Sequence, residues 1–356
     1  MNWKKGAAGL LFALASMGAA HADVGRNTYD RGNFRSPLDY WRPLANQGDV
    51  TAQMKLGQMY EEGEGVARNL TLAFSWYRKA ADQGSAEAEF NVGTMYDQGE
   101  GVAADKGQAT EWYKKAAAQG HSNAQYNLAV MYDTGEGIPQ DKAQAFVWYR
   151  KAAEQGDADA QYNVGVMYDQ GDGTSKDKSQ AVVWYLKSAD QGKVEAQYNL
   201  GIMYRDGEGV AKDGPKALFW FRKAADQGDA DAQYNIGAMY ADGDGIRQDD
   251  PEAIIWFLKA AGQDNVEAEY NLGVMFRDGE GVAKNAAQAI FWFERAAKHQ
   301  YADAANNLGV MYRDGDGVPV DMAKAREWFR KAKSLGYQGD GEGDQTAPSD
   351  TSSIPI

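Results

Sequence analysis

The chain has 356 residues, 44% hydrophobic and 12% aromatic, which is enough apolar surface to build a core and excludes global disorder. A formal net charge of −14 repels a polyanion, so nucleic acid is excluded as a partner, while basic proteins, cations or simple solubility are favoured. With no cysteine, neither disulfides nor thiolate-bound metals hold the fold, and packing alone must do so.

At the start, Lys4 and Lys5 precede an apolar stretch through Leu10, Leu11, Phe12 and Leu14, followed by Ala20-His21-Ala22. This pattern predicts a cleavable export signal over residues 1–22. The apolar stretch is too short to span a bilayer, so the mature chain is expected to lack a transmembrane segment and to be periplasmic or secreted. Residues 23–36 read as a linker. In residues 37–48, Tyr40-Trp41 and Gln47-Gly48 align with the second half of the unit described next, although Pro37 and Pro43 restrict the backbone. The segment is expected to be a half-repeat that caps the first hairpin.

From residue 49 to 336 the sequence repeats. Trp76, Trp112, Trp148, Trp184, Trp220, Trp256, Trp292 and Trp328 stand at a constant step of 36 residues, and a methionine keeps the same step from Met59 to Met311. Eight copies of one supersecondary unit follow, each burying the apolar face that its neighbour cannot bury alone. In the unit from Asp157 to Gly192, Asp157 caps a helix A whose Ala160, Val164, Met167 and Tyr168 share one face. Gly171-Asp172-Gly173 ends that helix. Asp177 starts a helix B, and Gln180 three residues later predicts a reciprocal capping box, repeated at Asp105/Gln108, Asp141/Gln144, Asp249/Glu252 and Asn285/Gln288. Ala181, Trp184, Tyr185 and Ala189 share the face of helix B, and Gln191-Gly192 ends it. The unit is an antiparallel helical hairpin.

Glycine at 57, 93, 165, 201, 237, 273 and 309, with Ala129 the exception, sits inside helix A, where it costs about 1 kcal/mol relative to alanine. Close packing must offset this, and the Trp ring of helix B is expected to fill the space. Asp264 and Gln300 replace the glycine that closes helix B elsewhere, so the joints after the sixth and seventh units are expected to differ in geometry. Residues 337–356, rich in Gly, Asp, Ser, Thr and Pro, read as a disordered tail.

The string Ala-Gln-Tyr-Asn-Leu-Gly-x-Met-Tyr at Ala196 to Tyr204, then Gly-Glu-Gly-Val, then Ala-x-x-Trp-Phe-Arg-Lys-Ala-Ala at Ala217 to Ala225, resembles the Sel1-like repeat. This family is related to the tetratricopeptide repeats, and the resemblance covers residues 49–336. It implies an all-α fold, a right-handed α-solenoid superhelix of antiparallel helical hairpins with helix A on the concave side, acting as an adaptor. Exported members include regulators of envelope signalling, parts of polysaccharide export machinery and factors that engage host proteins. A branch described as penicillin-binding or β-lactamase-like pairs a cysteine across each repeat; this chain departs from it, having none.

Chemistry finds little foothold. After removal of the leader only His121 and His299 remain, in different repeats and without cysteine, which leaves no zinc site and no Cys–His dyad. Ser175 and Lys178 form a Ser-x-x-Lys match in an inter-helix turn, but the partner motifs of penicillin-recognising enzymes are missing. Asp242-Gly-Asp244-Gly and Asp314-Gly-Asp316-Gly lack the later ligands of an EF-type calcium loop, so turn geometry explains them, with weak cation binding as the alternative. No catalytic residue, metal or cofactor is expected, and the chain reads as a binding protein and not an enzyme.

A 100° step along helix A places Tyr162, Val166 and Asp169 away from the packed face. Their equivalents form rows: Phe90, Tyr126, Tyr162, Tyr198, Tyr234 and Tyr270; then Thr94, Val130, Val166, Ile202, Val274 and Val310. A third row carries Glu61, Asp97, Asp133 and Asp169 in the first half and Arg205, Arg277 and Arg313 in the second. The first two rows are open to two readings, the lining of a groove or the packing between adjacent hairpins. The charged row favours a groove, polarised end to end, that sets the register of an extended ligand. The expected occupant is a protein or peptide; a glycan stacked on the tyrosines is the alternative, and a hydrolase substrate is the least supported.

Overall fold

A computed structural model describes residues 36–338; the predicted export signal, the linker up to residue 35 and the tail from residue 339 lie outside the described residues. The described residues form seventeen helices and no strand. The chain divides into two compact units, Met1–Lys176 and Asp177–Ile356. The first holds α1 (Pro37–Asn46), the hairpins α2/α3 (Val50–Glu62, Leu70–Ala81), α4/α5 (Ala86–Gln98, Lys106–Ala118) and α6/α7 (Ser122–Thr134, Lys142–Glu154), then α8 (Ala158–Gln170). The second holds α9 (Lys178–Asp190) and the hairpins α10/α11 (Val194–Asp206, Gly214–Ala225), α12/α13 (Ala230–Asp242, Asp250–Ala261), α14/α15 (Val266–Asp278, Ala286–Lys298) and α16/α17 (Ala302–Asp314, Met322–Ser334). This is an all-α solenoid of antiparallel hairpins.

Local chemistry sets each boundary. Helix A ends where a glycine turns left-handed, as Gly207 does at φ 77°, giving its N–H to Met203 O. Helix B then starts at a capping side chain: Asp213 accepts from the Lys216 N–H at 3.0 Å. The predicted reciprocal box forms only in half. The cap's own N–H goes instead to the last carbonyls of helix A, from Asp105 to Tyr96 O, Asp141 to Tyr132 O and Asp249 to Tyr240 O, at 2.8–2.9 Å. Those carbonyls are orphans of the helix end and need a donor, which the side chain three residues on would have taken from them.

The seam inside a hairpin also differs from expectation. A Cβ on Gly201 would lie 2.5 Å from the Phe221 ring, and Gly237 and Gly273 face Phe257 and Phe293 in the same way. The glycine is therefore matched to the aromatic residue after the tryptophan, not to the indole. The indoles of Trp292 and Trp112 reach the preceding hairpin: Trp292 packs in one cluster with Ala253, Phe257 and Leu272, and Trp112 with Tyr77 and Val92. One ring closes its own hairpin and the next ties hairpins together within a unit. At the start, Trp41 and Ala45 of α1 cover Ala52, Leu56 and Met59, and the helix runs through Pro43 without a break.

The expected change of geometry at Asp264 and Gln300 does not occur. Both adopt the left-handed conformation that glycine takes elsewhere, at φ 61° and 73°. The following N–H still bonds back to the helix, Asn265 to Ala260 O and Tyr301 to Ala296 O, as Asp229 does to Ala224 O. The chain keeps its path and accepts strain of about 1–2 kcal/mol per residue.

Candidate interaction surface

The tyrosine row takes part in the packing of the hairpins while keeping part of its surface exposed. Tyr198, Tyr234 and Tyr270 are half-buried, each with its ring 5.8 Å from that of Phe221, Phe257 or Phe293 in its own hairpin. The hydroxyls of Tyr198 and Tyr270 accept hydrogen bonds from Asn235 and Asn307 of the next hairpin at 3.5 and 3.4 Å. Tyr126, 5.6 Å from Tyr149, and Tyr162 are half-buried in the first unit. Tyr198 and Tyr270 are thus held by their own and the next hairpin and still keep part of their surface exposed. Burial pushes Tyr198 and Tyr234 above the ordinary phenol range, so they stay neutral. Phe90 is the exception: with no hydroxyl to keep near water it sinks to 5% exposure and stacks on His121 at 4.6 Å, so it offers no face to a partner. The aliphatic row beside it, from Thr94 to Val310, is half-buried throughout.

The charged row is built of ion pairs. In the first unit Asp97 holds Lys106 at 2.7 Å and Asp133 holds Lys142 at 2.6 Å, each lysine also meeting an acid of the next turn, Glu136 or Asp172, at 3.2 Å. Glu61 accepts from the Tyr77 hydroxyl at 2.6 Å, and Asp169 is half-buried. In the second unit Arg205, Arg277 and Arg313 each fork onto the next residue, Asp206, Asp278 or Asp314, at 2.7–2.9 Å. These hydrogen bonds hold the three carboxyls below the usual range. Each of these pairs presents both signs, so the row carries less net polarity than its sequence suggests.

Two features escaped the sequence reading. On the outer side of helix B, Val147, Val183, Phe219, Ile255 and Phe291 are 42–50% exposed. Each immediately precedes a repeat tryptophan, where repeats 1, 2 and 8 carry Ser75, Glu111 and Glu327; the signal was available in the register. Beside this ridge, Lys151, Lys187 and Lys259 lie over Trp148, Trp184 and Trp256 at 3.6–3.8 Å, shielding the indoles. The second feature joins residues far apart in sequence: Asp264, Glu269 and His299 bring their ligand atoms within 4.8 Å of one another. A guanidinium already stands among them. Arg295 lies 2.8 Å from Glu269, which is wholly buried, and 2.9 Å from Asp264, and donates to Ala261 O at 2.9 Å. The arrangement is an ion-pair cluster in which Arg295 supplies the cation. Elsewhere Ser175 is exposed in its turn, and Asp244 of the glycine-rich turn pairs with Lys212 at 2.7 Å.

A family model described as the Sel1 repeat matches residues 50–85, 86–121, 122–157, 158–193, 194–229, 230–265, 266–301 and 302–337, without a gap. The chain belongs to the Sel1 repeat family. Among solved structures it is similar to c5321, a protective antigen present in uropathogenic Escherichia coli strains displaying an SLR fold, with 38% identity and a TM-score of 0.76. The match covers 84% of this chain and 64% of that one, so this chain spans just under two thirds of that relative's length. It is also similar to a Sel1 repeat protein from Oxalobacter formigenes, with 34% identity and a TM-score of 0.66, over 85% of this chain and 87% of the other. No curated protein matches the chain. Among the described residues no helix is long and apolar enough to cross a membrane.

Proposed function

We propose that the protein is an exported scaffold that holds a protein or peptide partner on its helix-A face. The Sel1 repeat fold is commonly a protein-interaction scaffold and generally non-enzymatic. The observation that carries the reading is the row Tyr126, Tyr162, Tyr198, Tyr234 and Tyr270, whose rings are half-buried. A ring fixed by its neighbours offers contact area with little entropy left to lose, which is why tyrosine suits binding hot spots. The ion pairs at Asp97, Asp133, Arg205, Arg277 and Arg313 add a polar rim that orients a partner and speeds its arrival. The leader-like residues 1–22 and the 38% identity to a protective antigen support export, and with it a role in envelope signalling, assembly or host contact.

A second reading has its own observation. Phe219, Ile255 and Phe291 stand about half exposed on helix B, and exposed apolar rows of this kind mark contact surfaces. Partner capture from native cells separates the two. Tyr162→Ala with Tyr198→Ala is expected to weaken capture about thirtyfold, the effect of losing one strong hot spot. Asp133→Lys with Asp169→Lys is expected to weaken it further as salt is lowered. Phe219→Ser with Ile255→Ser is expected to leave it unchanged. The opposite pattern assigns docking to helix B, and capture that survives every variant removes both surfaces.

A further inference from the structure

The last hairpin ends the stack differently from the other seven. In helices B of repeats 1 to 7, the fifth residue after the tryptophan is alanine, buried beneath the next helix A, from Ala81 to Ala297. In α17 it is Lys333, exposed. Two residues before the tryptophan, repeats 1 to 7 carry Phe74, Thr110, Phe146, Val182, Leu218, Ile254 and Ile290, all buried or half-buried; α17 carries Arg326, exposed. A ninth hairpin would have to bury both cations without partners, which forbids ordinary stacking.

The face left open is basic with an aromatic floor. Helix α17 contains Lys324, Arg326, Arg330, Lys331 and Lys333 against one acid, Glu327, in a chain whose overall charge is −14. Lys324 lies 5.0 Å over Tyr312, and Arg326 and Arg330 donate to carbonyls of their own helix; none of the five shows an ion pair among the described residues. Trp328 and Phe329 are half-buried, whereas their counterparts Trp292 and Phe293 are 8% and 0% exposed.

The chain leaves α17 by the same joint as every earlier repeat. Gly336 turns left-handed at φ 95°, and Tyr337 donates to Ala332 O at 3.0 Å, as Asp229 does to Ala224 O. Earlier joints of this kind deliver the chain across the face of the helix just completed, where the next helix A packs. The residues that follow in sequence are 339–356, with Asp340, Glu342, Asp344 and Asp350 and neither lysine nor arginine. An extended chain covers about 3.3 Å per residue and a helix rises 1.5 Å, so this segment is long enough to traverse all of α17. A tethered segment also meets its site at millimolar effective concentration.

We propose that the acidic segment 339–356 lies back along the open face of α17, where its carboxylates pair with Arg326 and Lys333, and so takes the place of a ninth helix A. The site selects acidic chain because Arg326 and Lys333 stand where apolar packing would otherwise continue, and the segment's glycines allow its backbone to approach the half-buried rings.

Amide hydrogen exchange on the full chain tests this. In low salt, removal of residues 339–356 is expected to speed exchange in α17 about tenfold, equivalent to ~1.4 kcal/mol of local protection. Neutralising the segment with Asp340→Asn, Glu342→Gln, Asp344→Asn and Asp350→Asn should do the same. The difference should vanish at 1 M salt, where the screening length is about 3 Å. Exchange of α17 that is equal in the full and shortened chains at low salt overturns the proposal. So does protection that rises with protein concentration, which makes a second copy the occupant. A charge swap, Arg326→Glu and Lys333→Glu with Asp340→Lys, Glu342→Lys and Asp344→Lys, is expected to restore protection that Arg326→Glu and Lys333→Glu alone remove; failure of the swap also counts against it.

Discussion

Repeats 5 and 7 tie their two helices together at the same place with opposite chemistry. In repeat 5, Gln197 donates to Ala189 O at 3.1 Å and accepts from Gln227 at 2.8 Å, while Gln227 also reaches Gly192 O at 3.0 Å. In repeat 7 the two glutamines are Glu269 and His299, 3.1 Å apart. A carboxylate has no donor for the preceding helix, so Arg295 supplies it, bonding Ala261 O while balancing Glu269 and Asp264. Repeat 2 stands between them: Glu89 accepts from Gln119 at 2.7 Å, and burial raises its pKa. The backbone joint is indifferent to whether amides or ions close it. A buried charge there is tolerated when a cation comes with it.

Removing that cation should have the largest effect. Arg295→Met leaves Glu269 buried without its main partner and is expected to destabilise by about 3–5 kcal/mol, against about 1 kcal/mol for Gln227→Ala in the amide clamp. Chemical denaturation of the two variants checks this; equal losses would erase the contrast. The glycine seam, by comparison, is built alike beside either clamp. Gly201→Leu and Gly273→Leu are expected to cost about 3 kcal/mol each, since Phe221 and Phe293 leave no room for a Cβ. Unequal costs would place the difference between repeats in the seam.

The mixed clamp gives a smaller, pH-dependent effect. Because the folded state raises the Glu89 pKa, the stability it contributes is complete below the unfolded value of about 4.3 and is lost as pH rises through the folded value. Glu89→Gln should add about 1 kcal/mol at pH 7 and nothing near pH 4, by denaturation at the two pH values. Asp206 and Asp278 have the reverse sign: held low by Arg205 and Arg277, they lose their contribution only as pH falls below the ordinary carboxylate range. The smallest change is Gln300→Gly, expected to gain about 0.5 kcal/mol by relieving a positive φ. Asp264→Gly should gain less in the same measurement, because it also gives up the pair with Arg295.

The periodic part of this molecule was readable from its residues. Tryptophan, methionine and glycine at one interval dictate helical hairpins, and the caps and turns fall where Asp and Gly put them. The partner of each glycine was misassigned because Trp184 and Tyr185 lie side by side on one helix face, and spacing alone does not say which ring turns to its own hairpin. The capping boxes were half read because the competing acceptor, a helix-A carbonyl nine residues back, is a matter of how the turn folds. Depth was hardest: Phe90 and Tyr126 share a register position, yet only the phenol stays half open. The cluster around Glu269 joins residues as far as 35 positions apart, which only the returning helix brings together.

The most direct test of the docking claim is site-specific photocrosslinking in native cells, with the reactive group at Tyr198 in one strain and at Phe219 in another. One protein captured at Tyr198, not at Phe219, and lost when Tyr162 is also changed to alanine, is the predicted result. Capture of that protein at Phe219 alone, or at neither site, contradicts the helix-A face as its binding surface.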